Sequence, residues 1–135
     1  MSTGLSIGPG LRVLLVEDSA MLTELLSEAI RQVDAVELVA TVDTEAGALA
    51  AVKRDAIDLV ILDLHLKQGT GFGVMRGLAA GSGKPRVIVL TNYDLPEYKD
   101  AAAALGASLF LDKACDYGLL PAVLRKICAE RRAEH

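Results

Sequence analysis

The chain has 135 residues, enough for one domain with a substantial core, and is 52% hydrophobic and 24% charged with 12 Gly and 4 Pro. That balance excludes disorder, collagen-like repeats and low complexity. The net charge of -4, the lack of Trp and an aromatic content of 4% argue against a basic nucleic-acid footprint and against stacking platforms for single strands.

The first ten residues, with Gly4, Gly8, Pro9 and Gly10, show no periodicity and read as a flexible leader. They lack the basic start and apolar stretch of a secretory signal. No run approaches the ~18 apolar residues of a membrane span. Cys115 and Cys128 sit 13 apart with only two histidines in the chain, which is not the spacing of a usual Cys/His zinc site, so they read as reduced cytosolic thiols, with Cys115 inert.

From residue 11 onward, short apolar runs alternate with helical stretches. Val13–Val16 is a continuous apolar run, as expected for a parallel strand covered on both faces. Met21, Leu22, Leu25, Leu26, Ala29, Ile30 and Val33 then follow at spacings of 1 and 3, one face of a helix that Asp18 or Ser19 can cap. Val36–Val42 is the second strand, and an Ala-rich helix runs from about Thr44 to Arg54. Leu59–Leu62, between Asp58 and Asp63, is the third strand; a glycine-rich segment (Gly69, Gly71, Gly73) precedes a short helix with Val74, Met75 and Leu78. Val87–Leu90 is the fourth strand. Pro96 suits the first turn of a helix reaching Leu105, which Gly106 ends. Leu109–Leu111 is the fifth strand, and a last helix holds Leu119, Leu120, Val123, Leu124, Ile127 and Cys128, with room to run to Glu134.

Strict alternation of five strands and five helices predicts an α/β fold, a doubly wound parallel sheet between two helical layers with right-handed crossovers. The leading strand order is 2-1-3-4-5, the flavodoxin-like arrangement. Ligands of such sheets bind beyond the carboxyl ends of the strands, at the switch point between strands 1 and 3. Glu17 and Asp18 follow strand 1, Asp63 follows strand 3, Thr91 follows strand 4, and Asp112 and Lys113 follow strand 5. Three carboxylates at adjacent strand ends repel one another, so a hard divalent cation such as magnesium suits them. One carboxylate could then attack a phosphoryl group, with Lys113 and Thr91 orienting its oxygens. A lone acid at a strand end is usually a cap or a solvated turn residue, the reading we give Asp43, Asp58 and Asp112.

The segments VLLVEDS, DLVILDLHLKQGTG, VIVLTN and GASLFLDKA together resemble the receiver domain of bacterial two-component response regulators. The likeness runs from about Leu11 to Arg131 and implies a receiver domain over 11–133. It implies that Asp63 is the phosphoacceptor and that Mg2+, or Mn2+ in its place, is held by Glu17, Asp18, Asp63 and the His65 backbone carbonyl. It further gives Thr91 as the switch hydroxyl, Lys113 as the lysine that pairs with the phosphoryl group, Phe110 as the aromatic whose rotamer follows activation, and Gly71 as the loop glycine.

The chain departs from the family pattern in places. Lys67 stands where Pro is frequent, so that loop is expected to be less rigid. Ala114 replaces a common Pro or Ser, and Phe110 lacks the hydroxyl of the more familiar Tyr. His65 and Asn92 occupy positions that tune dephosphorylation. Asn92, bulkier than the usual Ala or Gly, is expected to narrow the path of an in-line water and slow phosphoryl loss.

By the same resemblance, a sensor histidine kinase or histidine phosphotransfer protein supplies the phosphoryl group, with specificity on the first helix near Met21 and Leu22. A downstream protein reads the face of the fourth helix, fifth strand and fifth helix, near Leu95, Tyr93 and Tyr98. No direct contact with nucleic acid or membrane is implied, and a homodimer on phosphorylation is compatible with it. The domain catalyses only its own phosphorylation and dephosphorylation. Its output lies in a separate protein or a further domain, and Met1 favours an N-terminal receiver position. The alternative is a constitutive receiver-like binding module that is never phosphorylated. A haloacid-dehalogenase-type phosphatase would need its D-x-D after strand 1. An FMN carrier would need a hydroxyl- and glycine-rich loop there, and a dinucleotide site needs G-x-G-x-x-G; none fits the Glu17–Asp18 pair.

Overall fold

Each of the five apolar runs forms a strand in the computed structural model, which describes residues 10–81, 85–92, 95–113 and 117–133. The elements are β1 (Leu11–Val16), α1 (Ala20–Arg31), β2 (Val36–Val42), α2 (Glu45–Arg54), β3 (Leu59–Leu62), α3 (Gly71–Ala80), β4 (Arg86–Thr91), α4 (Pro96–Ala104), β5 (Leu109–Asp112), a 3-10 turn (Tyr117–Leu119) and α5 (Leu120–Ala133). All strand pairs are parallel, in the order β2-β1-β3-β4-β5.

Strand alternation divides the core in two. Val13, Leu15, Leu59, Ile61, Ile88, Leu90 and Leu111 face α1 and α5 through Leu26, Ile30, Leu120, Leu124, Ile127 and Cys128. Leu14, Val16, Val60, Leu62, Val87 and Val89 face α2, α3 and α4 through Ala48, Ala51, Val74, Met75, Leu78 and Ala102. Central strands β1 and β3 are covered on both sides, which is why they read as unbroken apolar runs. The edge strand β2 is only half-buried, and its register with β1 shifts between Val13 and Leu14, an irregularity of the kind that interrupts flat pairing at sheet edges.

Helix starts follow local chemistry. Ser19, not Asp18, caps α1, its hydroxyl accepting from Leu22 N at 3.3 Å. Thr44 and Thr70 cap α2 and α3 in the same way. Gly106 takes a φ of 101° and ends α4 as expected, with Ala104 the last helical residue. Several boundaries differ from the sequence reading: β1 starts at Leu11, β4 runs from Arg86 to Thr91, β5 takes in Asp112, and α1 ends at Arg31, before Val33. Helix α3 begins at Gly71, because Thr70 caps it there, so Gly71 and Gly73 are helical rather than loop residues. Leu119 belongs to the 3-10 turn and is exposed; α5 proper starts at Leu120, with Pro121 tolerated in its first turn. The 1–10 leader (save Gly10), Tyr93, Ala114, Cys115 and Glu134 lie outside the described residues. Among the described residues no helix is long and apolar enough to cross a membrane.

Candidate functional site

The register brings the strand-end residues together. Val16 of β1 lies beside Leu62 of β3, so the residues that follow, Glu17 and Asp63, are neighbours; Asp63 N donates to Val16 O at 3.0 Å. On β4 and β5, Thr91 lies beside Asp112, and Lys113 N donates to Thr91 O at 2.9 Å. Glu17, Asp63 and Lys113 carry on the alternation of the strand residues that face α1 and α5. All three therefore reach the same side of the sheet edge.

Lys113 sits between the two buried acids. Its Nζ is 2.6 Å from Glu17 Oε1 and 2.8 Å from Asp63 Oδ2, and the three side chains are 8%, 1% and 4% exposed. This modifies the expectation of bare carboxylate repulsion: the lysine already supplies a cation inside the cluster. The second Glu17 oxygen accepts from Ser19 N at 3.0 Å, which ties the acid to the start of α1. Burial raises the Glu17 carboxyl above its ordinary value, the charge of Asp63 adds to this, and the bonds from Lys113 and Ser19 only partly offset it. Burial alone would lower the Lys113 ammonium, but its bonds to Asp63 and Glu17 outweigh that and raise it above 10.5.

Asp18 is exposed, yet one carboxylate oxygen each from Glu17, Asp18 and Asp63 lies within 4.8 Å of the others. An all-oxygen, carboxylate-rich set of this kind suits a hard divalent cation and not a thiophilic one. Beside it runs a groove of about 340 Å³ walled by Asp18, Thr23, Thr41, Asp43 and Lys67.

The other expected site residues fall as follows. Thr91 is fully buried at the end of β4. His65 is exposed, and its backbone N donates to Asp63 Oδ1 at 3.3 Å, so its main chain meets the site. Asn92 is exposed just beyond β4. Phe110 is half-buried against the α2–α3–α4 side of the core, with Lys99 Nζ 5.8 Å from its ring centroid. Of the residues expected on partner faces, Met21 is 72% exposed and Leu22 half-buried. Leu95 is exposed, while Tyr98 packs inward with its ring 6.0 Å from that of Phe72.

The loop of Lys67 is held by means that sequence reasoning missed. Lys67 N donates to Asp43 O at 3.0 Å, a bond proline could not make, and Lys67 Nζ pairs with Asp43 at 3.4 Å. Glu45 adds two more ties: its N donates to Gln68 O at 3.0 Å and its carboxylate accepts from Thr70 N at 3.1 Å. An acid at the first position of a helix reads as support for its own helix dipole, so no spacing signal pointed from Glu45 to α3.

Comparison with known proteins follows the same lines. The model of the response regulator receiver domain matches residues 13–125. The chain belongs to that family. It is 34% identical over 97 residues to protein-glutamate methylesterase/protein-glutamine glutaminase 5 of Myxococcus xanthus, covering 72% of this chain and 28% of that protein. It is 36% identical over 113 residues to the KDP operon transcriptional regulatory protein KdpE of Escherichia coli, covering 84% of this chain and 49% of that protein. The chain thus spans half or less of the length of these relatives. Among solved structures, the receiver domain of a sensor histidine kinase from Pseudomonas aeruginosa PAO1 superposes with a TM-score of 0.76 at 21% identity, over 87% of this chain and 96% of that one. That structure holds a magnesium ion in its active site cleft. The receiver fold expected from the sequence, with its 2-1-3-4-5 sheet and an acidic cluster at the switch point, is what the structure has.

Proposed function

We propose that residues 11–133 act as a phosphorylation switch in two-component signalling, with Asp63 the phosphoacceptor. The observation that carries the reading is the convergence of buried Asp63, Glu17 and Lys113 with exposed Asp18 at one strand edge. Glu17, Asp18, Asp63 and the His65 carbonyl would hold Mg2+, or Mn2+ in its place, which supplies positive charge for phosphoryl oxygens. An Asp63 oxygen attacks phosphorus, the bond from phosphorus to the donor breaks, and the donor leaves with its electron pair, giving an aspartyl phosphate. Lys113, 2.8 Å from Asp63, pairs with the added charge, and the Thr91 hydroxyl donates to a phosphoryl oxygen. Phe110 fills the space Thr91 leaves, and the face of α4, β5 and α5 changes its preference for a partner protein.

In this reading the donor is a cytoplasmic sensor histidine kinase, a histidine phosphotransfer protein or a small acyl phosphate. The relatives are much longer proteins, so the proposal is confined to receiver chemistry. The deciding experiment is incubation with acetyl phosphate, with and without Mg2+, in wild type and Asp63→Asn, followed by intact mass. One magnesium-dependent phosphoryl adduct, absent from the variant, is expected. No adduct and no response to beryllofluoride would leave a constitutive binding module as the better reading. Asn92→Ala is expected to shorten the life of the adduct, and an unchanged decay rate would remove Asn92 from the mechanism.

A further inference from the structure

The glycine-rich segment before and within α3 has an unexpected neighbour. A Cβ added at Gly73 would overlap the carboxylate of Glu45, and one added at Gly69 would overlap its Cβ and Oε1. Gly69 also takes a φ of 81°, a conformation that side chains disfavour. Glycine is a poor residue for the third position of a helix, so packing is the reason on the page for Gly73. These two glycines leave a socket, and Glu45 fills it from the start of α2.

The socket bears on the proposed phosphoacceptor. The segment after Asp63 closes on itself, with Gly71 N donating to Leu64 O at 3.0 Å and His65 bridged to Thr70. His65 N in turn donates to Asp63 Oδ1. Glu45 grips the far side of this closed loop twice, at Gln68 O through its backbone and at Thr70 N through its side chain. The carboxylate also lies against the first turn of α3, the end at which the helix dipole favours negative charge. The geometry points to Glu45 as a positioning residue: seated among Gly69 and Gly73, it fixes the 64–70 loop and through it the His65 main chain that meets Asp63. This rests on the function proposed above insofar as the loop serves cation and phosphoryl binding.

The test uses the whole chain and three variants, Glu45→Ala, Glu45→Gln and Gly73→Ala, with the double variant Glu45→Ala/Gly73→Ala. Hydrogen exchange by mass spectrometry reads the loop without any ligand. Exchange across 64–73 is expected to accelerate at least about threefold in Glu45→Ala relative to β1 and β3, and to stay near wild type in Glu45→Gln, which keeps the acceptor oxygen. Magnesium titration followed by backbone amide shifts is the second reading. Groups bonded directly to a metal ligand typically change affinity about 10- to 100-fold; acting through the loop, Glu45→Ala is expected to weaken magnesium about threefold to tenfold. A merely structural cap would lower the unfolding midpoint and leave both readings unmoved, and that result overturns the inference. The socket itself is read by Gly73→Ala, expected to be markedly less harmful once Glu45 is Ala, since the methyl then has room. Equal harm in both backgrounds overturns it. A wild type that takes up no magnesium counts against the proposed function, while the exchange and double-variant arms still decide the positioning of the loop.

Discussion

At the carboxyl edge of the sheet, Lys113 meets Glu17 and Asp63 with no partner more than 8% exposed. At the amino edge, Arg12 meets Glu37, Arg86 meets Glu130 and Arg131 meets Asp58, with side chains 30% to 60% exposed. Both edges pair a basic side chain with carboxylates, a lysine at 2.6–2.8 Å on one and arginines at 3.0–3.4 Å on the other, but the surroundings differ most. Exposed pairs compete with water and are screened, so each contributes little. Buried charges cannot be abandoned by their partners, which makes the carboxyl edge sensitive to any added or removed charge. One edge is built to respond to a charge event and the other to tolerate solvent.

The sharpest way to break the contrast is to delete the shared cation. Lys113→Met leaves Glu17 and Asp63 facing each other without compensation, a loss of about 3–5 kcal/mol by the usual cost of stranding a buried charge. Chemical denaturation in EDTA should show it, and millimolar Mg2+ should restore part of it. A variant as stable as wild type in EDTA would mean that the lysine is not what holds the two acids.

Next in size is Gly71→Ala. Its added Cβ would overlap the Asp63 carbonyl oxygen and crowd the Leu64 Cα, backbone atoms that cannot swing aside. Overpacking of this kind costs about 1–3 kcal/mol. Thermal unfolding reads it, and a neutral result would show that the start of α3 shifts freely relative to Asp63.

Alkaline pH should separate the edges without mutation. The folded Lys113 titrates above 10.5 and the unfolded one near that value. Its contribution is therefore complete below 10.5 and is lost as pH rises through the folded value, because the unfolded chain gives up its proton first. Arginines keep their charge throughout this range, so the amino edge is unaffected. Denaturation midpoints in EDTA should fall more steeply for wild type than for Lys113→Met as pH rises above 10.5. Parallel curves would dissociate Lys113 from the alkaline loss.

The same comparison explains how much of the molecule was legible in its sequence. The parallel sheet between helical layers followed from the alternation, because runs such as Leu59–Leu62 and Val87–Leu90 must be buried on both faces, and the order 2-1-3-4-5 is the leading choice for such a sheet. The acids of the site followed from topology, since residues just past β1 and β3 flank the switch point, whereas Lys113 reaches them from β5, two strands from β3. What escaped was contact across elements that share no period. Nothing marks Glu45 as reaching α3, Lys67 N as bonding Asp43, or Asp58 as accepting from Arg12 N at 2.9 Å. The start of α3 was misplaced because glycines signal a loop, while Thr70 and the Glu45 socket make Gly71 and Gly73 fit a helix.

Asp58 supplies the smallest and most discriminating prediction. Its carboxylate does two jobs at the amino edge: Oδ2 pairs with Arg131 at 3.4 Å and accepts from Arg12 N at 2.9 Å. The first job is an ion pair whose side chains are about one-third exposed, for which a double-mutant cycle of Arg131→Ala with Asp58→Ala should return less than about 1 kcal/mol. That coupling should vanish in 1 M salt, where screening acts within roughly 3 Å. The second job is a hydrogen bond to a part-buried backbone donor. Losing it should make Asp58→Ala cost more than Arg131→Ala, by about 1–3 kcal/mol, the usual cost of an unmatched N–H, with little dependence on salt. A coupling above about 2 kcal/mol that persists in salt would place the amino edge in the same class as the carboxyl edge. Burial would then no longer be the property that separates them.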